Sequence, residues 1–297
     1  VFPLIFSHSA ILHKKPGPVP PFRRLPGPVF HRWDQTEKNL HFASYPWAPS
    51  RGIIRTSRKS ENSSAAARRA ERKVPMKQIP EYKGTLRSHL LTIPHCISEC
   101  SGIRVFGRRI KSLVFSTDVA IIKNVNADAI IAVYPFTPQP SITQAIISVS
   151  DVPCFVGVGG GVTSGDRSVR MAEFSENQGA FGVVLNVPIA NETITKIKQV
   201  VDIPVITTIV SEEMDIGGRL AAGADILNVS GAAKTPEIVA HIREKFPDVP
   251  IIATGGPRDE DILRTIRAGA NAITYTPPTT AQLCSEIMVD HRSKFEK

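Results

Sequence analysis

From Ile110 onward the sequence alternates eight times between a short apolar run and a longer stretch that leads into the next one. The runs begin near Ser112 (SLVFS), Ala129 (AIIAVY), Pro153 (PCFVGV), Gly182 (GVVLNV), Pro204 (PVITTI), Asp225 (DILNVS), Pro250 (PIIATGG) and Ala272 (AITYT). Runs this short and this apolar fit strands covered on both faces. Between them, residues 142–149, 194–201, 214–222, 238–246, 262–268 and 283–289 carry apolar side chains at helical spacing. Strict alternation of this kind requires parallel strands joined by right-handed crossovers, and eight units point to a closed barrel. The expected fold class is therefore α/β, a (β/α)8 barrel over residues 110–297. An open doubly wound sheet is the alternative if the first or the eighth run is not a strand.

Local signals support these boundaries. Asn191, Ser211, Thr235 and Asp259 stand where helix caps belong, with Glu212, Glu213 and Glu237 in first turns. Gly223-Ala224 and Gly269-Ala270 end helices just before the next strand. Upstream, residues 76–109 read as a lead-in. Within it, residues 102–107 suit a short strand or hairpin arm, and 86–91 suit a helical turn closing the barrel floor.

Residues 1–75 read differently. They hold ten prolines, the near-repeat of Pro16-Gly17-Pro18-Val19 and Pro26-Gly27-Pro28-Val29, and a Ser/Ala/Arg-rich stretch at 60–72. Such a composition buries too little apolar surface to offset its ordering entropy, so disorder is expected. Three explanations stand beside one another: a basic arm for RNA or lipid, a targeting segment, or non-native sequence upstream of a start at Met76. The third is preferred, because Met76 is the first methionine and regular patterning begins soon after it.

Charge divides in the same way. The net charge is +9, with 36 Lys and Arg against 27 Asp and Glu. Residues 1–75 hold 14 of the basic and four of the acidic residues, so 36 − 14 = 22 basic and 27 − 4 = 23 acidic residues remain for 76–297. The barrel is thus near neutral, which argues against nucleic acid as its partner. No apolar run is long enough to span a bilayer. Cys96, Cys100, Cys154 and Cys284 form neither a disulfide framework nor a zinc ribbon, and His95, Cys96 and Cys100 lack a fourth ligand nearby. The expectation is a cytoplasmic protein without a membrane partner; homo-oligomerisation stays open.

In a barrel of this class the working face lies at the C-terminal ends of the strands. Those ends supply Ser116, Thr117 and Asp118; Tyr134; Gly159, Gly160 and Gly161 with Asp166 and Arg167; and Asn186. Further round come Thr207 and Thr208; Asn228 and Ser230; Thr254, Gly255, Gly256 and Arg258; and Tyr275 and Thr276. Two stretches stand out. In residues 153–170 a strand breaks into three glycines and then enters a helix with Ser164 or Asp166 as its cap, an arrangement that presents backbone N–H groups to an anion. In residues 251–276, Gly255-Gly256 follows one strand and Gly269-Ala270-Asn271-Ala272 leads into the next.

This second stretch resembles the last two units of the phosphate-binding TIM barrels, a superfamily that includes ribulose-phosphate-binding, IMP-dehydrogenase-like and FMN-dependent barrels and sugar-phosphate epimerases. The whole barrel also looks like a group of bacterial proteins, some carrying a generic hydrolase label. The resemblance implies phosphate held on the N–H groups that follow the seventh and eighth strands. Here Tyr275-Thr276-Pro277-Pro278 follows the eighth, and proline has no N–H to offer.

The expected function is an enzyme acting on a small phosphorylated metabolite by isomerase, epimerase, lyase or hydrolase chemistry. Asp118, Asp166 and Asn186 are the catalytic candidates. Gly159, Gly160, Gly161, Arg167, Ser230, Gly255, Gly256 and Arg258 are the candidates for substrate and phosphate. Asp118 reads equally well as a helix cap. No lysine lies in a strand, which argues against a Schiff-base aldolase. No HExxH or paired-histidine signature points to a metal, and no obligatory cofactor is expected. The alternatives are an FMN-dependent oxidoreductase and a non-catalytic barrel whose basic arm binds nucleic acid.

Overall fold

A computed structural model of the protein describes Pro80, Tyr82, Gly84, Thr85 and residues 90–295. The expectations for residues 1–75 lie outside the described residues, as does most of the turn expected at 86–91. Leu91 itself forms a parallel bridge to Val125.

All eight apolar runs are strands. They are β3 (Ser112–Phe115), β4 (Ala129–Ala132), β5 (Cys154–Gly159), β6 (Gly182–Leu185), β7 (Val205–Ile209), β8 (Ile226–Val229), β9 (Ile251–Thr254) and β10 (Ala272–Tyr275). They pair in parallel in chain order, and β10 pairs with β3 to close the barrel. Closure leaves no strand edge, so every strand lies between two hydrogen-bonded neighbours. The helices return outside: α1 (Val119–Lys123), α2 (Pro140–Val149), α3 (Asp166–Asn177), α4 (Asn191–Val200), α5 (Ile216–Ala221), α6 (Thr235–Lys245), α7 (Asp259–Arg267) and α8 (Thr280–Phe295).

Side-chain direction alternates along each strand, and the core divides accordingly. Val114, Ile130, Val156 and Val183 point outward and pack under α2, α3 and α4 on one side of the ring. Leu227, Val229, Ile251 and Ile273 do the same under α6 and α7. Leu113, Ile131, Phe155, Val184, Ile206 and Ile252 belong to a third cluster inside the ring. That cluster also includes Ile103, Val105 and Ile110, which come from an antiparallel hairpin of β1 (Ile103–Val105) and β2 (Arg108–Ile110). The hairpin within the lead-in thus forms a floor of the barrel. Its two-residue turn, Phe106-Gly107, has φ of 45° and 79°, the left-handed pair that a tight hairpin needs. The Phe106 ring sits edge-on to Phe181, 5.6 Å between centroids.

Several caps lie a residue or more from their expected places. Asn191, Thr235 and Asp259 are first helical residues, preceded by Ala190, Lys234 and Arg258 at the cap positions. The Thr235 hydroxyl turns back to accept from Gly231 N–H at 3.0 Å. The cap of α5 is Asp215, which accepts from Gly218 N–H at 2.8 Å. Ser211 instead accepts from Glu213 N–H in the turn before it. For α3 the cap position falls on Gly165, between the two expected residues. The helix-ending glycines stand as expected: Gly223 and Gly269 are left-handed, at φ of 109° and 113°.

The hairpin floor makes a direct prediction. Ile110 is 2% exposed, and Ile110→Ala is expected to cost about 2–4 kcal/mol of stability. Urea unfolding would show this, and an unchanged midpoint would mean that the hairpin does not seal the barrel.

Candidate active site

Above the apolar floor, the inward positions at the C-terminal ends of the strands become polar. They enclose a cavity of about 280 Å³ with two unlike walls. Phe115 on β3, Ile131 on β4 and Val133 just after β4 make the apolar wall. Opposite them stand Asn186, Thr208, Asn228, Ser230, Thr254, Thr274 and Thr276, contributed by or following β6 to β10 in turn. A smaller depression beside it shares Val133 and Asn186 and adds Tyr134, Phe136, Gly157, Gly159 and Gly160.

The polar wall is internally bonded. Thr208 Oγ1 donates to Asn186 Oδ1 at 3.0 Å and accepts from Asn228 Nδ2 at 3.2 Å. One hydroxyl thereby fixes two amides on either side of it. Thr254 Oγ1 donates to Ser230 Oγ at 3.3 Å. Among the described residues, the hydroxyl oxygens of Thr207 and Thr274 are buried with no partner. Among the described residues, no Asp, Glu, Lys, Arg or His lines either space; the Tyr134 phenol is the one titratable group there, and it accepts from Gln139 N–H at 2.9 Å.

Of the catalytic candidates, the structure brings only Asn186 to this cavity. Asp118 is the cap of α1. Its Oδ1 accepts from Ala120 and Ile121 N–H, and its Oδ2 accepts from the Thr280 hydroxyl at the start of α8. The Thr280 bond, with those amides, holds the Asp118 carboxyl below the usual range. Asp166 lies exposed on the first turn of α3 and pairs with Lys196 of α4 at 2.9 Å, which lowers its pKa as well. Both carboxylates are engaged in fastening helices to their neighbours.

The binding candidates also separate. Ser230, Gly159 and Gly160 border the cavities. Gly159 and Gly160 answer first to packing: a Cβ on Gly159 would lie 2.0 Å from Ser168 Oγ, and one on Gly160 would lie 2.5 Å from the Asn186 carbonyl oxygen. The Gly160 amide donates to Thr163 O at 2.8 Å, and the Gly255 amide donates to Thr274 O at 3.3 Å. Those two N–H groups are therefore already used. Gly161 and Gly256 are exposed and left-handed, at φ of 65° and 86°. Arg258 is held by Asp261 through two bonds of 3.0 and 3.2 Å. With Asp259, Glu260 and Asp261, the first turn of α7 is acidic, which disfavours an anion beside Gly255-Gly256. Arg167 is exposed in the first turn of α3 and has no ion pair among the described residues.

No group of three His, Cys, Asp or Glu among the described residues could hold a metal ion. Cys100 is buried, and burial pushes its thiol up to about 11, a protonated group ill suited to metal binding. Among the described residues, the cavity lining holds no cationic side chain to set beside a flavin ring.

Several solved structures are similar to this chain. Phosphonopyruvate hydrolase in complex with oxalate and Mg²⁺ is 15% identical, at a TM-score of 0.48 over 63% of this chain and 83% of the other. Inosine 5′-monophosphate dehydrogenase from Legionella pneumophila is 14% identical, at 0.45 over 57% and 59%. A mandelate oxidase with benzaldehyde is 17% identical, at 0.45 over 60% and 68%. The fold is a TIM barrel. No protein-family model and no curated protein matches the chain. The chemistry of this TIM barrel rests on its own residues.

Sequence reasoning placed Asn186, Thr208, Asn228, Ser230, Thr254 and Thr276 at the mouth of the barrel. It missed Thr274 and the wall of Phe115, Ile131 and Val133. The signal was available: each stands two residues from another inward position on its strand or strand end, and strand side chains repeat with a period of two.

Two predictions follow from these placements. Gly159→Ala and Gly160→Ala should destabilise the barrel more than Gly161→Ala, whose added Cβ meets nothing within 4 Å and whose loss is about 1 kcal/mol for the left-handed backbone. Equal melting temperatures for the three variants would refute the packing role. Asp118, with its pKa lowered on folding, stabilises above the unfolded value near 3.9, and that contribution disappears as pH falls through the folded value. Asp118→Ala should therefore cost about 1–2 kcal/mol at pH 7 and progressively less under acid, as read by chemical unfolding at each pH.

Proposed function

We propose that this TIM barrel is an enzyme that binds a small, phosphorylated metabolite in its C-terminal mouth, with isomerase, epimerase, lyase or hydrolase chemistry. The observation that carries the reading is the cavity itself: a pocket of metabolite size, lined by amides and hydroxyls from β6 through β10. Asn186, Thr208 and Asn228 are the residues proposed to orient the substrate.

The anion site proposed from the sequence narrows to one side. Beside β5, the Gly161 amide makes no bond among the described residues, and Arg167 stands on the adjoining helix turn. Beside β9, the acids of α7 and the Arg258–Asp261 pair weigh against a phosphate. The phosphate is therefore assigned to the Gly161 and Arg167 side. Arginine offers a fork of donors suited to phosphate oxygens. Among the described residues, no helix is long and apolar enough to cross a membrane. The four cysteines are free thiols, which supports a reducing, cytoplasmic setting.

The test is a thermal-shift screen of phosphorylated metabolites and their dephosphorylated counterparts on the full chain. A ligand at a hundred times its Kd should add about 2.7 kcal/mol of stability. That shift should shrink in Asn186→Ala, and in Arg167→Ala for the phosphorylated form alone. Hits indifferent to both substitutions would place the ligand elsewhere and sink the reading.

A further inference from the structure

The inward face of the barrel changes character at one level, and it does so on only part of the ring. Side chains two apart on a strand share a face. On β6, β7, β8 and β9 the inward aliphatic residue is followed, two positions on, by Asn186, Thr208, Asn228 and Thr254. On β3 and β4 the same step stays apolar: Leu113 is followed by Phe115, and Ile131 by Val133. Between the two sectors, on β5, Phe155 is followed by Gly157, which has no side chain to fill the space beside Val133.

The apolar sector is not simply more core. Leu113 and Ile131 are buried, whereas Phe115 is 40% exposed. Phe136, on the loop after β4, is 73% exposed and lines the smaller depression with Gly157. Val133 lines both spaces and so joins Phe115 to Phe136. On this side the mouth keeps a strip of apolar surface in contact with water, and such a strip inside a cleft marks a ligand surface. An apolar group that covers it releases the water held against it. A hydroxyl placed there gives up its hydration without gaining a partner. A polyol can satisfy the amides and hydroxyls opposite, but it leaves the strip uncovered. A ligand with an apolar group on one side and hydrogen-bonding groups on the other covers both walls.

We infer that the mouth takes an amphiphilic metabolite, its aryl or branched-alkyl group seated against Phe115, Val133 and Phe136 and its polar groups turned toward Asn186, Thr208 and Asn228. This rests on the reading that the mouth is the ligand site, and it narrows the phosphorylated metabolite to a class that carries an apolar substituent. The test sets two aryl compounds, phenyl phosphate and benzyl alcohol, against two polyols, glycerol 3-phosphate and glycerol. All four are titrated into the full chain by calorimetry or ligand-observed NMR. Within the charged pair and within the neutral pair, the aryl compound should bind about fivefold more tightly or better. Phe115→Ser should reduce that ratio about threefold or more, and Phe115→Leu, which keeps an apolar side chain, should reduce it less. The ratio compares ligands within one preparation, so an unfolded fraction of a variant cancels.

Equal binding within either pair, or a preference for the polyol, would overturn the inference, and the phosphate reading would stand as long as the phosphate esters outbind the neutral alcohols. Phosphate esters that bind no better than the alcohols would overturn that reading and leave the aryl preference intact. No binding by any of the four would overturn both. An aryl preference that Phe115→Ser leaves unchanged would put the apolar contact elsewhere and overturn the assignment to this wall.

Discussion

The pairing of β10 with β3 is the interaction on which everything else depends. Until that ladder forms, two strands present unpaired backbone groups, and the inward side chains have no enclosed space to share. Once it forms, the inner residues fall into layers. The lower layer is aliphatic and aromatic, and it is sealed by the β1–β2 hairpin. The upper layer is amides and hydroxyls, and it opens at the C-terminal face. Floor and site are two ends of one filled ring, so the hairpin contributes to the mouth by keeping water out from below.

Closure also explains why the two most suggestive carboxylates are occupied. Asp118 lies where α1 and α8, the first and last barrel helices, meet across the seam. Its carboxylate joins the amides of α1 to the first residue of α8. Asp166 ties α3 to α4 in a more exposed way, and an exposed pair of this type contributes little by itself. An acidic residue just after a strand is well suited to capping the helix that follows. In a barrel this cap position lies beside the site, so a capping carboxylate and a catalytic one look alike in sequence.

The glycine loop is a similar case. Three glycines suggest backbone exposed to a ligand, and part of that remains open at Gly161. Gly159 and Gly160 are small because Ser168 and the Asn186 backbone press against them. This contact couples the loop after β5 to the residue that anchors the polar wall. The glycines therefore matter to the site through the position of Asn186, whether or not an anion ever meets them.

The chain alone was enough to determine the strands, their parallel order and the barrel, because strands covered on both faces must be apolar along their length and the helices between them amphipathic. It also placed Asn186, Thr208, Asn228, Ser230 and Thr254 at the mouth, since each stands at a strand end. Caps were legible only to within a few residues, because Asn, Ser, Thr and Asp near a helix start can bond to any of several nearby amides. Only the tertiary structure decided that Asp118 and Asp166 face neighbouring helices, that Arg258 is held by Asp261, and that the Gly160 and Gly255 amides are taken. It also decided that, among the described residues, no charged side chain lines the mouth, and that one hydroxyl joins two amides. The physical reason is that these are contacts between segments far apart in the chain. Residue type states what a side chain can bond to, and the fold chooses the partner it meets.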